Sequence, residues 1–248
     1  MMSFIKNPNL PQNNVALVIS GKIPCKYLKI LHERNIEIIF CEDNLYIDSA
    51  VKNHADMCVV HLGENIVAVD KAQSELVESL KIRGYEVIRT KEEIKGEYPK
   101  DVKLNVALFG EYSVGAFKYT DEYLLNHIDK FKKINIKQGY AKCSILPITE
   151  TALITDDASV YNSLKNDLDV LLISKGDISL NGHEYGFIGG ASAKISDTEV
   201  YFFGNIESHR DFQEICNFLK KYNCTMVYDK TLPLTDFGGL ATLLEYNN

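Results

Sequence analysis

One pattern recurs along the chain and limits its fold more than any other feature. It consists of an apolar strand, a tight turn, a returning strand, an amphipathic helix and a closing strand. The pattern is clearest from Met57: Met57–Leu62 reads as a strand, Gly63-Glu64-Asn65 as a hairpin turn and Ile66–Val69 as the returning strand. Asp70 is expected to cap a helix with Leu76, Val77 and Leu80 on its inner face. Gly84 then ends the helix and Glu86–Ile88 closes the unit. The pattern returns at Ala141–Leu146, with a turn at Pro147–Glu150, a strand at Thr151–Ile154, a helix from Thr155-Asp156-Asp157 to Leu164, and Asp169–Ile173. It returns again at Ala191–Ile195, with a turn at Ser196–Thr198, a strand at Glu199–Phe203, a helix opened by a capping box at Ser208–Asp211, and Thr225–Tyr228. A looser instance joins Leu104–Phe109 to a helix at Glu122–Phe131 through an irregular Gly110–Gly115 connection.

Starts near Met57, Leu104, Ala141 and Ala191 recur every ~35–50 residues, the spacing of repeat assemblies. The first unit has Val15–Ser20, a helix from Pro24 and Ile36–Phe40, but no leading strand of its own. The terminal Gly238-Gly239-Leu240-Ala241-Thr242-Leu243-Leu244 stretch fills that vacancy. The sequence therefore predicts an α/β fold: a five-fold pseudo-symmetric α/β propeller, pentein-like, closed by the C-terminal strand and forming one domain over 1–248. Its units are approximately 12–48 plus 236–246, 54–90, 100–136, 138–175 and 186–230. Ring closure leaves no free sheet edge. A doubly wound Rossmann-like sheet is disfavoured, because it joins its parallel strands through helices rather than hairpins.

The chain has 248 residues and a net charge of −7, which argues against a nucleic-acid-binding surface. Its start lacks the apolar core of a signal peptide, and no apolar run approaches the ~20 residues of a spanning helix. The six cysteines form no Cys-x-x-Cys pair, so reduced thiols in a cytoplasmic protein are expected. No residue spacing suggests a metal site or a phosphate-binding loop. The expectation is thus a protein without cofactor or metal and without nucleic-acid or membrane partners. Its oligomeric state is left open.

Five such units ending in a Gly-Gly strand resemble the guanidino-group-modifying superfamily of dimethylarginine dimethylaminohydrolases, deiminases and amidinotransferases. The likeness is strongest from Tyr140 to Leu244. Tyr185-Gly186-Phe187-Ile188-Gly189-Gly190-Ala191-Ser192 and Glu207-Ser208-His209 further resemble a smaller bacterial family of this fold without an assigned reaction. In the hydrolases the resemblance implies a nucleophilic Cys shortly after Gly-Gly, a His on an inner strand, and carboxylates that hold the cation. A thiolate can attack a guanidinium carbon near neutral pH, the His handles the leaving group's proton, and paired acids match the delocalised charge. Here Thr242 falls at the nucleophile position, no Cys follows Cys224, and Gln138, Gly139 and Tyr140 stand where the His belongs.

The candidate ligand-binding residues are His54, Asp56, Asn105, Lys142, Ser192, Lys194, Asp236, Gly238 and Gly239. The first two alternate at the head of an inner strand, where a carboxylate suits a cation. Ser192 and Lys194 are placed to meet an anionic group, and Glu111 and Tyr112 accompany Asn105 as lesser candidates. His32, His127 and His183 read as surface residues. Cys143, beside Lys142, reads first as a buried core thiol. Three functions compete: binding of a small cationic or zwitterionic ligand, arginine- or amino-acid-like, in the central channel without thiol chemistry; an enzyme with a displaced centre of His209, Glu207, Asp56 and Cys143; and a partner-binding propeller without catalysis, as in ribosome anti-association factors. A channel lined by Asp56, Lys142, Lys194 and His209 would favour the first two.

Overall fold

The computed structural model describes residues 1–247; Asn248, the last residue of the expected domain, lies outside them. The described residues form five small sheets, one of four strands and four of three. The first unit contains β1 (Met2–Phe4), β2 (Val15–Ser20), α1 (Cys25–Glu33) and β3 (Glu37–Phe40). The second has a single turn α2 (Ala55–Cys58), then β4 (Val59–Gly63), β5 (Ile66–Val69), α3 (Ser74–Ile82) and β6 (Glu86–Arg89). The third has β7 (Ala107–Phe109), β8 (Tyr112–Gly115), α4 (Glu122–His127) and β9 (Lys132–Asn135). The fourth has β10 (Ile145–Thr149), β11 (Ala152–Thr155), α5 (Ala158–Leu164) and β12 (Asp169–Leu172). The fifth has β13 (Ser192–Lys194), β14 (Glu199–Phe202), α6 (Phe212–Lys221) and β15 (Thr225–Val227), and the described chain ends in β16 (Leu240–Tyr246).

In the second to fifth units a leading hairpin is antiparallel and the strand after the helix returns parallel, as in β10–β11 and β11–β12. The first unit borrows its leading strand. β16 lies antiparallel to β2, with Leu240 opposite Ser20 and Thr242 opposite Val18, and β1 covers its other edge with Phe4 opposite Leu244. Both ends of the chain thus meet in one sheet.

Each helix buries its apolar face between its own sheet and a neighbouring one. Leu76, Val77 and Leu80 of α3 pack with Val67 and Val69 of β5 and with Leu17 and Ile19 of β2. Ile215 and Leu219 of α6 pack with Val200 and Phe202 of β14 and with Ala152 and Ile154 of β11. Tyr27, Leu28 and Leu31 of α1 meet Val18 of β2 and also Tyr201 of β14, which brings the fifth unit against the first. Strands that are apolar on both faces, β2 above all, follow from this arrangement.

Several expected boundaries shift, each for a local reason. Met57 and Cys58 belong to the turn α2 rather than to a strand, because Asp56 N–H donates to Gly238 O (3.2 Å) and Met57 N–H to His54 O (3.1 Å). Ala141–Ser144 is a turn, and Pro147 lies inside β10 at a bulge opposite Leu153, where a missing donor is tolerated. Gly110–Gly115 is not irregular, since Tyr112–Gly115 forms the returning strand β8. The helix expected over Glu122–Phe131 ends at His127.

The helix starts also differ. Asp70 does not cap α3: its carboxylate accepts from Ala72 N–H (3.2 Å) and Ile94 N–H (3.1 Å), while Glu42 accepts from Glu75 N–H (2.9 Å) and Leu76 N–H (3.2 Å). The first-turn donors are thus met by a residue remote in sequence. Of Thr155-Asp156-Asp157 only Asp157 caps, accepting from Ser159 N–H (2.8 Å) and Val160 N–H (3.1 Å). Ser208 caps nothing, because it sits in a 3-10 turn ahead of α6.

Leu243 is fully buried in the cluster with Leu17, Ile19 and Leu76. Leu243→Ala should lower stability by about 2–5 kcal/mol in urea unfolding. A loss near zero would show that β16 is not part of the core.

Candidate functional site

The loop entering β16 is built around a buried carboxylate. Asp236 is 3% exposed, and its oxygens accept from Phe187 N–H (2.9 Å) and Gly238 N–H (2.9 Å). Side chains at Gly186 or Gly190 would overlap it, which explains two glycines of the Tyr185–Ser192 motif. Gly238 has a φ of +80° and packs against His54, leaving no room for a Cβ. Phe237 and Gly239 N–H both donate to Gly190 O, at 3.0 and 2.8 Å. His54 Nδ1 lies 3.8 Å from Asp236 Oδ1.

Asn105 ties a second pair of loops to this clasp. Its Oδ1 accepts from Lys142 N–H (2.7 Å), and its Nδ2 donates to Asp56 O (3.0 Å) and points at Cys143 Sγ (3.0 Å). Gly190 N–H completes the link by donating to Cys143 O at 3.1 Å. Residues from five separate stretches are therefore fixed by hydrogen bonds, several of them to the Asp236 and Asn105 side chains.

Above them opens a cleft of about 270 Å³. His54, Cys143 and Asp236 line it together with the aromatic rings of Tyr140, Tyr185 and Phe187. Asp48, His183 and Glu184 line it as well, and His183 Nε2 sits 3.2 Å from Asp48 Oδ2. Among the described residues no Lys or Arg lines this cleft. Two far smaller voids, about 20 and 10 Å³, both touch Lys142: one with Asp56 and His61, the other with Ser192, Lys194 and Thr242. Voids of that size hold roughly one water at most.

With the fold and the cleft defined, the chain can be compared with known proteins. The profile of a family of unknown function, DUF6873, matches residues 18–241. The chain belongs to that family. No curated protein matches it in sequence. Among solved structures, an inosamine-phosphate amidinotransferase from Streptomyces griseus aligns at 10% identity with a TM-score of 0.62, covering 99% of this chain and 98% of that one. An amidinotransferase of saxitoxin biosynthesis from Microseira wollei aligns at 9% identity and a TM-score of 0.59, covering 92% of both. A dimethylarginine dimethylaminohydrolase from Pseudomonas aeruginosa aligns at 10% identity and 0.56, covering 88% of this chain and 93% of that one. The chain thus has the fold of the guanidino-modifying superfamily, as its units and Gly-Gly strand led one to expect.

The electrostatics of the site are set by burial. Burial raises the Asp236 carboxyl above its ordinary value against the opposing pull of His54, and Asp56 raises it further. Neither oxygen of Asp56 has a hydrogen-bond partner among the described residues. Burial lowers the Lys142 ammonium, while Asp56, Cys143 and Asp236 pull it back up. Burial also pushes the Cys143 thiol well up, and Asp56 and Asp236 add to the effect. Beside the cleft, Tyr140 donates to Asp101 at 2.9 Å, although burial still raises that carboxyl.

The sequence candidates divide into three groups. His54, Asp56, Asn105, Lys142, Cys143, Asp236, Gly238 and Gly239 come together around the clasp. Lys194 and Ser192 lie by the lesser void but are already occupied: Lys194 Nζ donates to Ile148 O (2.9 Å) and Asp197 O (2.5 Å), and Ser192 Oγ to Ile188 O (2.6 Å). Thr242 is buried with its hydroxyl unpartnered among the described residues. Glu207 and His209 lie elsewhere. Glu207 pairs with Lys230 and Tyr228, both at 2.7 Å, and His209 Nδ1 accepts from Asp211 N–H (3.1 Å). Neither residue lines the cleft or the two voids, so the displaced centre of His209, Glu207, Asp56 and Cys143 is not assembled. His183 is exposed, as expected, and it also lines the cleft, where Asp48 and Glu184 join it without a spacing that announces them. Tyr185 and Phe187 could have been found, because their motif stood out in the sequence.

Two outcomes test this geometry. Gly190→Ala should cost about 2–3 kcal/mol of stability. The Gly190→Ala, Asp236→Ala double variant should lose less than the sum of the single losses, by at least ~0.5 kcal/mol; strict additivity would separate the two residues. Asp156, which accepts from Ile188 N–H at 2.8 Å, has its carboxyl raised by burial to about 8. The folded state therefore holds a proton that the unfolded state releases. Its contribution is full below the ordinary carboxylate pKa and is lost as pH rises toward about 8. Over that window stability should fall by up to ~1.4 kcal/mol per pH unit from this group. Asp156→Asn should flatten the slope in urea titrations at pH 5, 6 and 7, and an unchanged slope would remove Asp156 as its source.

Proposed function

We propose that the five sheets close into a ring forming one domain over 1–248, and that the cleft binds a small cationic or zwitterionic molecule, arginine-like or amino-acid-like, without thiol chemistry. Ring closure is supported by the packing of β16 against β4 and β13, and of β10 against β7 and β13, together with the helix clusters shared between units. One observation carries the ligand class: the cleft is lined by Asp48, Glu184 and Asp236 with three aromatic rings, while Lys175 lies outside the lining with its Nζ 5.6 and 5.8 Å from the Tyr185 and Phe187 ring centroids. Carboxylates pair with a guanidinium or ammonium, and aromatic faces attract the same charge. The named activities of the amidinotransferase and dimethylaminohydrolase neighbours are in keeping with a guanidino or amino ligand.

The lack of thiol chemistry rests on different residues. Thr242 stands where the resemblance places a nucleophile, and its hydroxyl has no hydrogen-bond partner among the described residues to take its proton, which makes it a poor substitute for a thiolate. Cys143 is the thiol in the cleft, and burial beside two carboxylates keeps it protonated. With iodoacetamide at pH 7, exposed Cys25 should label at least ~100-fold faster than Cys143. Equal rates would restore the enzymatic reading.

A thermal-shift screen tests the ligand class. Agmatine and arginine at millimolar concentration should raise the melting temperature, and a neutral alkylurea of similar length should not. Asp48→Asn with Glu184→Gln, both toward the rim, should weaken the response at least ~5-fold. A shift with anionic compounds only would overturn the proposal.

A further inference from the structure

The ligand reading leaves Cys41 and Cys58 unused. Their sulfurs lie 2.9 Å apart, inside ordinary sulfur–sulfur contact, although the residues are 17 apart in sequence. Both are buried, Cys41 fully and Cys58 at 5% exposure. Each backbone is anchored: Cys41 N–H donates to Ser20 O at 2.9 Å, and Cys58 O accepts from Asp70 N–H at 2.8 Å. The two sulfurs are therefore held together by two different sheets and do not meet through a flexible loop. The other described cysteines show no such pairing.

The chain between them matters as much as the contact. Residues 41–58 leave β3, cross to the second unit and carry Asp48, Val51 and His54, which line the cleft, and then Asp56. Within this stretch Lys52 pairs with Asp43 at 2.7 Å, and Asn44 N–H donates to Lys52 O at 2.7 Å, so it is folded on itself. It has little secondary structure besides the single turn α2. Tertiary hydrogen bonds hold it, among them Asn44 Nδ2 to Ile94 O (2.8 Å), Gly96 N–H to Tyr46 O (2.8 Å) and Asp56 N–H to Gly238 O (3.2 Å), and the two cysteines stand at its ends.

We propose that Cys41 and Cys58 form a reversible disulfide under peroxide, a staple that closes the 41–58 segment beneath the cleft. Peroxide first oxidises Cys58, which retains some exposure, to a sulfenic acid with release of one water. The Cys41 thiol then attacks that sulfur, the S–S bond forms and the hydroxyl leaves as a second water. Overall, two thiols and one hydrogen peroxide give one disulfide and two waters. A dithiol reductant reverses the step by thiol–disulfide exchange. The hydrogen bond with Cys41 and burial, with smaller contributions from Asp70 and Asp56, raise the Cys58 thiol, so oxidation is slow and awaits local opening.

The test needs no ligand and is independent of the ligand reading. The purified chain is treated with hydrogen peroxide, alkylated and digested with trypsin. Cleavage after Arg34, Lys52 and Lys71 puts the two cysteines on different peptides, 35–52 and 53–71. The expected product is a single linked species of these peptides, lost on dithiothreitol treatment. Closing a loop of this length should raise the melting temperature by about 6–12 °C and slow amide exchange across 42–57. Cys41→Ala should abolish the linked species and both other effects, and the wild-type digest stands by itself if that variant folds poorly. Recovery of Cys41 and Cys58 on separate peptides, alkylated or over-oxidised, would overturn the proposal. So would a link of either one to Cys143.

Discussion

A carboxylate buried among glycines is the constraint on which the rest of this structure depends. Asp236 is almost wholly withdrawn from solvent, so donors of the protein must meet it, and Phe187 and Gly238 N–H do. The backbone approaches that closely only because Gly186, Gly190 and Gly238 carry no side chains. The same clasp docks the start of β16, and β16 supplies the strand that the first unit lacks. A single electrostatic requirement therefore links this close packing to the pairing of β16 with β2.

Much of the architecture was legible in the sequence because hairpin, helix and closing strand each leave a periodic or turn signature. The α2 turn, the strand at Tyr112–Gly115 and the position of Pro147 within β10 were not, because remote partners decide them. Met57 and Cys58 look like strand residues until Gly238 O captures the Asp56 N–H. Asp70 looks like a cap until Glu42, distant in sequence, takes the helix donors instead. Local propensity is overridden wherever a tertiary hydrogen bond competes with it.

The site was legible in part for the same reason. His54, Asp56, Lys142, Asp236 and Gly238-Gly239 were found because they sit at the ends of recognisable elements. Asp48, His183 and Glu184 come from long connections, where only folding decides what lines a cleft. Glu207 and His209 stood out beside a helix start because capping explains Ser208 but not them. Their side chains in fact answer to Lys230, Tyr228 and Asp211. The fold of the guanidino-modifying superfamily is present, yet fold alone does not fix chemistry. The resemblance would put a thiol at Thr242 and an imidazole among Gln138, Gly139 and Tyr140, and the cleft of this chain is acidic and aromatic.

The central claim is that this cleft holds a cation against its carboxylates. A crystal structure of the chain grown with arginine tests it most directly. The account predicts a guanidinium or ammonium group inside the cleft, within hydrogen-bond distance of Asp48, Glu184 or Asp236, with Cys143 unmodified. Arginine bound with its carboxylate toward those residues, or bound only outside the cleft, would contradict it.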